Sequence, residues 1–235
     1  MSQPSFTITP ISERAVVISF GNVIDIEVHS IIWALHLQIS NHNFDGFTES
    51  VPAYSSLAVF YEPNIVLQNQ PKGTLVFDWV SSFIKKSLEF RSTDQNSSSR
   101  LIEVPVIYDG PDLKDISNQK KIKIEDVIQL HSSKEYMVFM MGFLPGFAYM
   151  GLLDPLIATP RRSSPRTNVP AGSVGIAGNQ TGIYPQSSPG GWQLIGRTPL
   201  KIFDASNESP CLFQPGDIVK FYSIDTIEFE KINEH

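Results

Sequence analysis

Glycine and proline recur every few residues from Gly142 onwards, and this density is what most constrains the fold of the chain. Proline lacks a backbone N–H and glycine weakens helices, so long helices are excluded from this region. Short β-branched runs remain between the breaks, at residues 173–177, 192–195, 200–203 and 217–222. Many short strands joined by tight turns are typical of a β-barrel or sandwich. We therefore predict a barrel whose loops carry the unusual residues.

The first half has a different pattern, in which helices and strands alternate. Asp25 is the predicted cap of a helix with an apolar stripe that includes Val28, Ile32 and Leu35, and Thr74 is the predicted cap of a second helix. Strands are predicted at residues 14–20, 47–51, 56–61 and 101–107, with residues 6–9 as an extra strand in front. The order βαββαβ is the ferredoxin-like split arrangement. The predicted fold class is α+β, with a ferredoxin-like N-terminal domain followed by a β-barrel domain.

A polar, serine-rich segment, RSTDQNSSSR at residues 91–100, separates the two halves. This composition is typical of an exposed linker. We predict two domains, residues 1–100 and 101–235, with the first cleavage by a nonspecific protease falling within residues 94–99.

Composition limits the classes of partner. The formal net charge is −6, so bulk attraction to nucleic acid or to anionic lipid is not expected, and any basic site must be local. Cys211 is the only cysteine, which excludes an intramolecular disulfide and fits a reducing compartment. The first residues lack the pattern of a signal peptide, and no apolar stretch approaches membrane-spanning length. The sequence predicts a cytoplasmic protein with no nucleic-acid or membrane partner.

Standard catalytic signatures are missing from the sequence. It contains no GxxxxGK[ST] phosphate loop, no HExxH, no CxxC and no GxSxG. His29 and His36 lie seven residues apart, too far for a two-histidine metal site, and are expected on the solvated side of the first helix. We therefore predict no metal site and assign no catalytic nucleophile.

The PRRSSPR segment at residues 160–166 places Arg161, Arg162 and Arg166 on a loop stiffened by proline. Guanidinium groups held on a rigid backbone suit bidentate binding of a carboxylate or a phosphate. The alternative is an exposed basic loop whose surface ion pairs contribute little. Both interpretations remain open at this point, and the first makes the three arginines candidates for anion binding.

Two glycine-containing turns supply further candidates. In AGNQTGIYP, amide and hydroxyl groups between glycines present donors and acceptors near the backbone, or form an ordinary hairpin turn. In SPGGW, paired glycines allow close approach of a ligand, and the tryptophan either walls a pocket or fills the core. The candidates from these two turns are Gln180, Thr181, Tyr184, Gly190, Gly191 and Trp192.

GFLPGFAYMG contributes Phe143, Phe147 and Tyr149. These rings either expose an apolar surface to a partner or fill the barrel interior. His131, at the end of a predicted helix, is the candidate general acid or base and is also counted among the candidates for binding substrate or nucleotide.

The long segment GFLPGFAYMGLLDPLIATPRRSSPRTNVPAGSVGIAGNQTGIYPQSSPGGWQLIGRTPLKIFD resembles, almost word for word, the family formed by the B subunits of 5-oxoprolinases. The same family includes the kinase A inhibitor KipI and the domain called allophanate hydrolase subunit 1. SERAVVISFG, YSSLAVFYEP, VPVIYDGPDL and a late PGDIVKFY agree in order, so the resemblance spans nearly the whole chain. It implies a ferredoxin-like N-terminal domain and a cyclophilin-like C-terminal barrel.

The resemblance also implies an activity. Complexes of this family open 5-oxo-L-proline to L-glutamate with ATP and Mg²⁺, and they require two further 5-oxoprolinase subunits, named C and A, so the chain alone is expected to be inactive. Phosphorylation of the amide oxygen would activate a stable lactam, and a cationic, donor-rich pocket suits that step. The implied roles are anion binding by Arg161, Arg162 or Arg166, and lining of the pocket by Gln180, Thr181, Tyr184 and residues 190–192.

Two alternatives from other classes follow from the same family. One is a KipI-like regulatory protein that inhibits autophosphorylation of a sensor histidine kinase. The other is a component of urea or allophanate metabolism, for which the sequence offers no biotin or amidase motif.

Overall fold

The computed structural model describes residues 4–89 and 99–233. The chain divides into two compact units, one within residues 1–97 and the other within residues 98–235. Residues 91–98 of the predicted linker, and with them most of the predicted protease site, lie outside the described residues.

The described part of the N-terminal unit consists of one sheet and its helices. The elements in chain order are β1 (Thr7–Ser12), β2 (Ala15–Ser19), α1 (Ile26–Asn41), β3 (Phe47–Pro52), β4 (Ser56–Tyr61), α2 (Pro63–Asn69) and α3 (Val76–Glu89). The strands pair antiparallel in the order β1-β2-β4-β3. Strands β2 and β3 therefore run in the same direction on either side of β4, and α1 connects them.

Helix α1 shows how the local sequence builds this unit. Asp25 accepts a hydrogen bond from the Val28 N–H at 2.9 Å, so the predicted cap is confirmed. The predicted apolar stripe, with Ile32, Leu35 and Ile39, is buried in a core shared with the sheet and α3. Burial of each such side chain contributes about 1.5–3 kcal/mol, which holds the helix on the sheet.

The two histidines of α1 are not exposed as predicted. His29 is buried, and the half-buried His36 has its Nδ1 2.7 Å from Ser50 Oγ. Helix α1 contacts both β3 and α3, so its buried sector is wider than the apolar stripe alone. Burial lowers the pKa of both imidazoles, because the charged form loses hydration.

The C-terminal unit is richer in strands. Its elements in chain order are β5 (Leu101–Val106), α4 (Leu113–Lys120), α5 (Ile124–Ser132), β6 (Glu135–Met141), β7 (Ala148–Gly151), β8 (Arg166–Val169), β9 (Ser173–Ala177), β10 (Gln180–Ile183), β11 (Ser188–Gly190), β12 (Gln193–Arg197), β13 (Ile218–Ser223) and α6 (Thr226–Asn233). Strands β8 and β11 form a separate two-stranded ribbon. The other strands form one sheet in the order β12-β9-β10-β7-β6-β13-β5.

This large sheet nearly closes into a barrel, as the sequence predicted. Just beyond the end of β5, Ile107 exchanges two backbone hydrogen bonds with Arg197 of β12, at 2.9 and 3.0 Å. The two edges of the sheet thus meet at this point, which protects the edge strands from pairing with other chains. A continuous apolar core fills the interior and extends to α4 and α5.

The last strand of the predicted βαββαβ order is wrong. Residues 101–106 belong to the barrel as β5, where they pair in parallel with β13. In the N-terminal sheet, the position beside β2 is taken by β1, the strand predicted as an addition. Strand β1 is joined to β2 by a tight hairpin. Closing this short loop costs less conformational entropy than pairing β2 with a strand that is distant in sequence, such as β5.

Among residues 4–89 and 99–233, no helix is long and apolar enough to cross a membrane.

Candidate functional site

The C-terminal unit contains a small pocket of about 180 Å³ beside the ribbon of β8 and β11. Its lining residues are Phe143, Phe147, Tyr149, Arg161, Pro165, Tyr184, Pro189, Gly190, Gly191 and Trp192. All of them except Pro165 and Pro189 are candidates predicted from the sequence. We call this cavity the aromatic pocket. It brings together motifs that are distant along the chain, because the barrel places their loops side by side.

Phe147 is the centre of the aromatic wall. Its buried ring meets the rings of Tyr149, Tyr184 and Trp192 edge to face, with centroid distances of 4.9, 5.4 and 5.4 Å. Each such pair adds about 0.5–1.5 kcal/mol to the effect of burial. Because Phe147 is only 1% exposed, it acts as a wall of the pocket and not as a partner-binding surface.

Phe143 also lines the pocket but, unlike Phe147, it is largely exposed. Its side chain is 59% exposed, and its ring centroid lies 5.5 Å from that of Phe147 and 6.4 Å from that of Tyr184. Its backbone has φ 68°, in the left-handed region that favours glycine. Such a conformation costs about 1–3 kcal/mol and is concentrated at functional sites. The loop therefore holds an aromatic ring beside the pocket at the expense of local stability.

Glycine is required at one position of the SPGGW turn and not at the next. A side chain at Gly190 would collide with the Tyr184 phenol, so the backbone lies directly against that ring. At Gly191 the nearest atoms to an added Cβ belong to Pro165, at 3.7 Å, which is ordinary contact. The Gly191 carbonyl instead accepts a hydrogen bond from the Arg162 N–H at 2.8 Å, and this bond fixes the arginine loop against the turn.

The three predicted arginines have two different roles. Arg162 and Arg166 both donate to Oδ1 of Asp112, at 2.9 and 2.7 Å. Asp112 is 2% exposed, and its Oδ2 accepts the Leu194 N–H at 2.6 Å. The expectation that all three arginines are free to bind anions is therefore corrected for Arg162 and Arg166. No local pattern indicates this partner, which lies 50 and 54 positions away from the two arginines.

Arg161 is the remaining cation of the loop. Its side chain is exposed, lines the aromatic pocket, and pairs with no carboxylate of the described residues. Burial raises the pKa of the Tyr149 and Tyr184 hydroxyls. The rise is opposed in part at Tyr184 by a hydrogen bond with the Trp192 backbone, and at both tyrosines by the nearby Arg161 charge. At neutral pH the pocket is thus lined by one guanidinium and two protonated phenols.

His131 and Thr181 lie in the barrel core and not in the pocket. The Thr181 hydroxyl donates to the Gly175 carbonyl at 3.1 Å, so it accepts from His131 Nε2 at 2.8 Å. His131 Nδ1 then accepts from the Tyr108 hydroxyl, also at 2.8 Å. Burial lowers the pKa of His131 to about 3, which keeps the ring neutral. The prediction of His131 as a general acid or base is therefore wrong, because it has no access to solvent and no free ring nitrogen.

Gln180 also lies outside the aromatic pocket. It begins β10 and pairs with Gly151 on one side and Ala177 on the other. Among the described residues, no group of three or more His, Cys, Asp or Glu side chains is placed to hold a metal ion.

Comparison with known proteins agrees with the fold and with the motifs of the pocket. The family model described as carboxyltransferase domain, subdomain C and D, matches residues 6–213. The B subunit of the 5-oxoprolinase of Bacillus subtilis is 41% identical over 233 residues, covering 97% of both chains. The corresponding 5-oxoprolinase B subunit of Haemophilus influenzae is 42% identical and covers 91% of this chain and 96% of its own.

A solved structure, the urea amidolyase of Kluyveromyces lactis, shares the fold. Its TM-score is 0.77 at 22% identity, over 98% of this chain and 15% of the larger protein. The matched family model spans most of the chain, and the bacterial relatives match it over nearly their whole length. The chain therefore belongs to the family of carboxyltransferase subdomains C and D, together with the B subunits of bacterial 5-oxoprolinases.

Proposed function

We propose that this chain is the B subunit of a cytoplasmic, ATP-dependent 5-oxoprolinase, which opens 5-oxo-L-proline to L-glutamate together with its A and C subunits. The names of its bacterial relatives support this assignment. In this proposal the C-terminal domain, residues 101–235, is a cyclophilin-like barrel that carries the substrate pocket. The N-terminal domain, residues 1–100, is ferredoxin-like and serves assembly.

The composition of the aromatic pocket is the observation that carries this proposal. 5-Oxoproline is a small five-membered ring with one carboxylate and one lactam group. A cavity of about 180 Å³ suits a ligand of this size, below the usual range of about 300–1,000 Å³ for larger ligands. Aromatic faces can pack on the ring, and the Arg161 guanidinium can bind the carboxylate bidentately.

Tyr149 and Tyr184 are suited to bind the lactam group of the substrate. Tyr149 and Tyr184 are protonated at neutral pH, since a phenol ordinarily titrates near pH 10 and burial raises the pKa of both hydroxyls further. A protonated phenol donates a hydrogen bond to a lactam oxygen and stabilises negative charge that develops there. The backbone at Gly191 lets a ligand approach closely, since no side chain projects there, whereas Gly190 lies against the Tyr184 ring.

ATP would activate the lactam by phosphorylation of its oxygen. The new P–O bond replaces the phosphoanhydride bond, and ADP leaves. Water then adds to the activated carbon, and the ring C–N bond breaks as the nitrogen takes up a proton, which leaves an acyl phosphate. A second water hydrolyses the acyl phosphate to glutamate and phosphate. Mg²⁺ commonly binds through substrate phosphates with only one or two carboxylates. In this chain we assign it no ligand.

Reconstitution tests the proposal. The chain is purified alone and with the products of neighbouring genes that encode candidate A and C subunits, and ADP and glutamate formation are measured with and without 5-oxoproline. We expect 5-oxoproline-dependent formation of both products only in the complete mixture. Robust turnover by the single chain, or none by the complete mixture, would contradict the proposal.

The same preparations distinguish the regulatory alternative. If the mixture is inactive and the single chain blocks autophosphorylation of a sensor histidine kinase, the KipI-like interpretation is supported instead.

A further inference from the structure

A second, larger cavity shares Arg161 with the aromatic pocket. It has a volume of about 410 Å³ and lies between residues 159–164, helix α4 and Gln193 of β12. We call it the polar cleft. Arg161, Arg162, Ser163 and Ser164 all line it, so four consecutive residues of the arginine loop contribute donors to one cavity.

The backbone of this loop is fixed before any ligand binds. The Thr159 carbonyl accepts from the Gly178 N–H at 2.7 Å, and the Pro160 carbonyl accepts from Gln193 Nε2 at 2.9 Å. Arg162 is held both through its own N–H and through its guanidinium, which binds Asp112. A donor array on a fixed backbone binds a ligand at a lower entropic cost than a mobile loop would.

Several side chains of residues 161–164 have hydrogen-bond donors that are not used within the described part of the protein. Within residues 4–89 and 99–233, Arg161, Ser163 and Ser164 are exposed and make no side-chain hydrogen bond, and Nη2 of Arg162 has none either. The Arg161 guanidinium, the Nη2 group of Arg162 and two hydroxyls thus remain available as donors from one loop.

The local charge favours an anion. Asp112 neutralises only one of the two guanidiniums that it binds, so the cluster of Asp112, Arg162 and Arg166 keeps a positive charge. Arg161 adds a second positive charge at the cleft, and the exposed Asp115 opposes one of them. The positive charge is local, because the chain as a whole carries −6.

The number and directions of the donors distinguish a phosphate from a carboxylate. A carboxylate uses two coplanar oxygens and is satisfied by one guanidinium. A phosphate presents three oxygens in different directions, and phosphoryl sites accordingly combine several cationic and hydroxyl donors. The volume of about 410 Å³ accommodates more than one phosphate group.

We propose that the polar cleft binds the phosphate chain of ATP, with Arg161 at the junction between the cleft and the aromatic pocket. This inference rests on the proposed function for the identity of the nucleotide and of the second substrate. It adds Ser163 and Ser164 as binding residues and separates the nucleotide cavity from the lactam cavity.

The test is a calorimetric titration of the full chain, without 5-oxoproline, with MgATP, pyrophosphate and inorganic phosphate in turn. The variants are Arg161→Ala, the double variant Ser163→Ala/Ser164→Ala, and Lys114→Ala as a control for loss of charge. Lys114 is exposed on α4 and does not line the cleft. Thermal melting of each variant checks that the fold is retained.

We expect MgATP and pyrophosphate to bind the wild type, with affinity about tenfold lower in Arg161→Ala and about fivefold or more lower in the double serine variant. Lys114→Ala should change affinity by less than about twofold. No binding by the wild type, or equal binding by the serine and control variants, would overturn the proposal. Preference for inorganic phosphate over both longer ligands would overturn the assignment to ATP. Because no titration contains 5-oxoproline, failure of oxoprolinase turnover would leave these results unchanged.

Discussion

Replacement of Asp112 tests how the arginine loop is held. In Asp112→Asn the carboxylate that binds Arg162, Arg166 and the Leu194 N–H loses its charge, while its size is nearly unchanged. Removal of one partner from a buried ion pair costs about 3–5 kcal/mol. The arginine side chains here are 35% and 22% exposed, so water compensates in part, and we expect a loss of about 2–4 kcal/mol.

The matched control is Asp109→Asn, three positions earlier. Asp109 binds Arg197 at 2.9 Å, but both side chains are more than 40% exposed, and such pairs contribute at most about 1 kcal/mol. Urea unfolding at neutral pH measures the free energy of unfolding of both variants. In thermal melting, the midpoint should fall by roughly 4–16 °C in Asp112→Asn and by much less in Asp109→Asn. In a background of Arg162→Met and Arg166→Met the cost of Asp112→Asn should shrink, because no guanidinium is left unpaired. Equal losses in the two asparagine variants would refute the reasoning.

Two further predictions concern the pocket and the barrel core. Gly190→Ala should distort the ring of Tyr184 and cost about 1–3 kcal/mol, while Gly191→Ala should cost less than about 1 kcal/mol; comparable losses in urea unfolding would contradict this. His131 binds its proton in the unfolded chain near pH 6.5 and in the folded chain only near pH 3, so stability should fall as pH decreases across this window. The slope is at most about 1.4 kcal/mol per pH unit, and it should be shallower in His131→Gln than in the wild type; identical slopes would contradict the burial of a neutral ring.

Features set by neighbouring residues were predicted well from the sequence. The Asp25 cap, the apolar stripe of α1 and the strand at residues 173–177 follow from local periodicity and capping, and the structure confirms them. The barrel followed from the spacing of glycine and proline. The predicted strand at residues 200–203 is wrong, since only Phe203 forms an isolated bridge there, to Cys211.

Features that depend on contacts between residues distant in sequence could not be predicted from local patterns. The partner of Arg162 and Arg166 is Asp112, and the partner of β5 is β13, near the other end of the C-terminal unit. Side chains along a strand point alternately to its two faces. Thr181 faces the barrel core, where it binds His131, while Tyr184 of the same sequence motif lines the pocket. The local sequence around such a threonine is the same whether its hydroxyl faces the core or a pocket, so only the three-dimensional structure distinguishes the two orientations.

Turnover of the reconstituted complex with Arg161 variants tests the central claim most directly. Initial rates of 5-oxoproline-dependent ADP formation are measured for the wild type, Arg161→Ala and Arg161→Lys, with Lys114→Ala as the control. If Arg161 binds the substrate carboxylate, kcat/KM for 5-oxoproline at saturating MgATP should fall about tenfold or more in Arg161→Ala. Lysine should restore little, because it keeps the charge and loses the planar fork. An Arg161→Ala complex that turns over 5-oxoproline at the wild-type rate would contradict the assignment of the aromatic pocket as the substrate site.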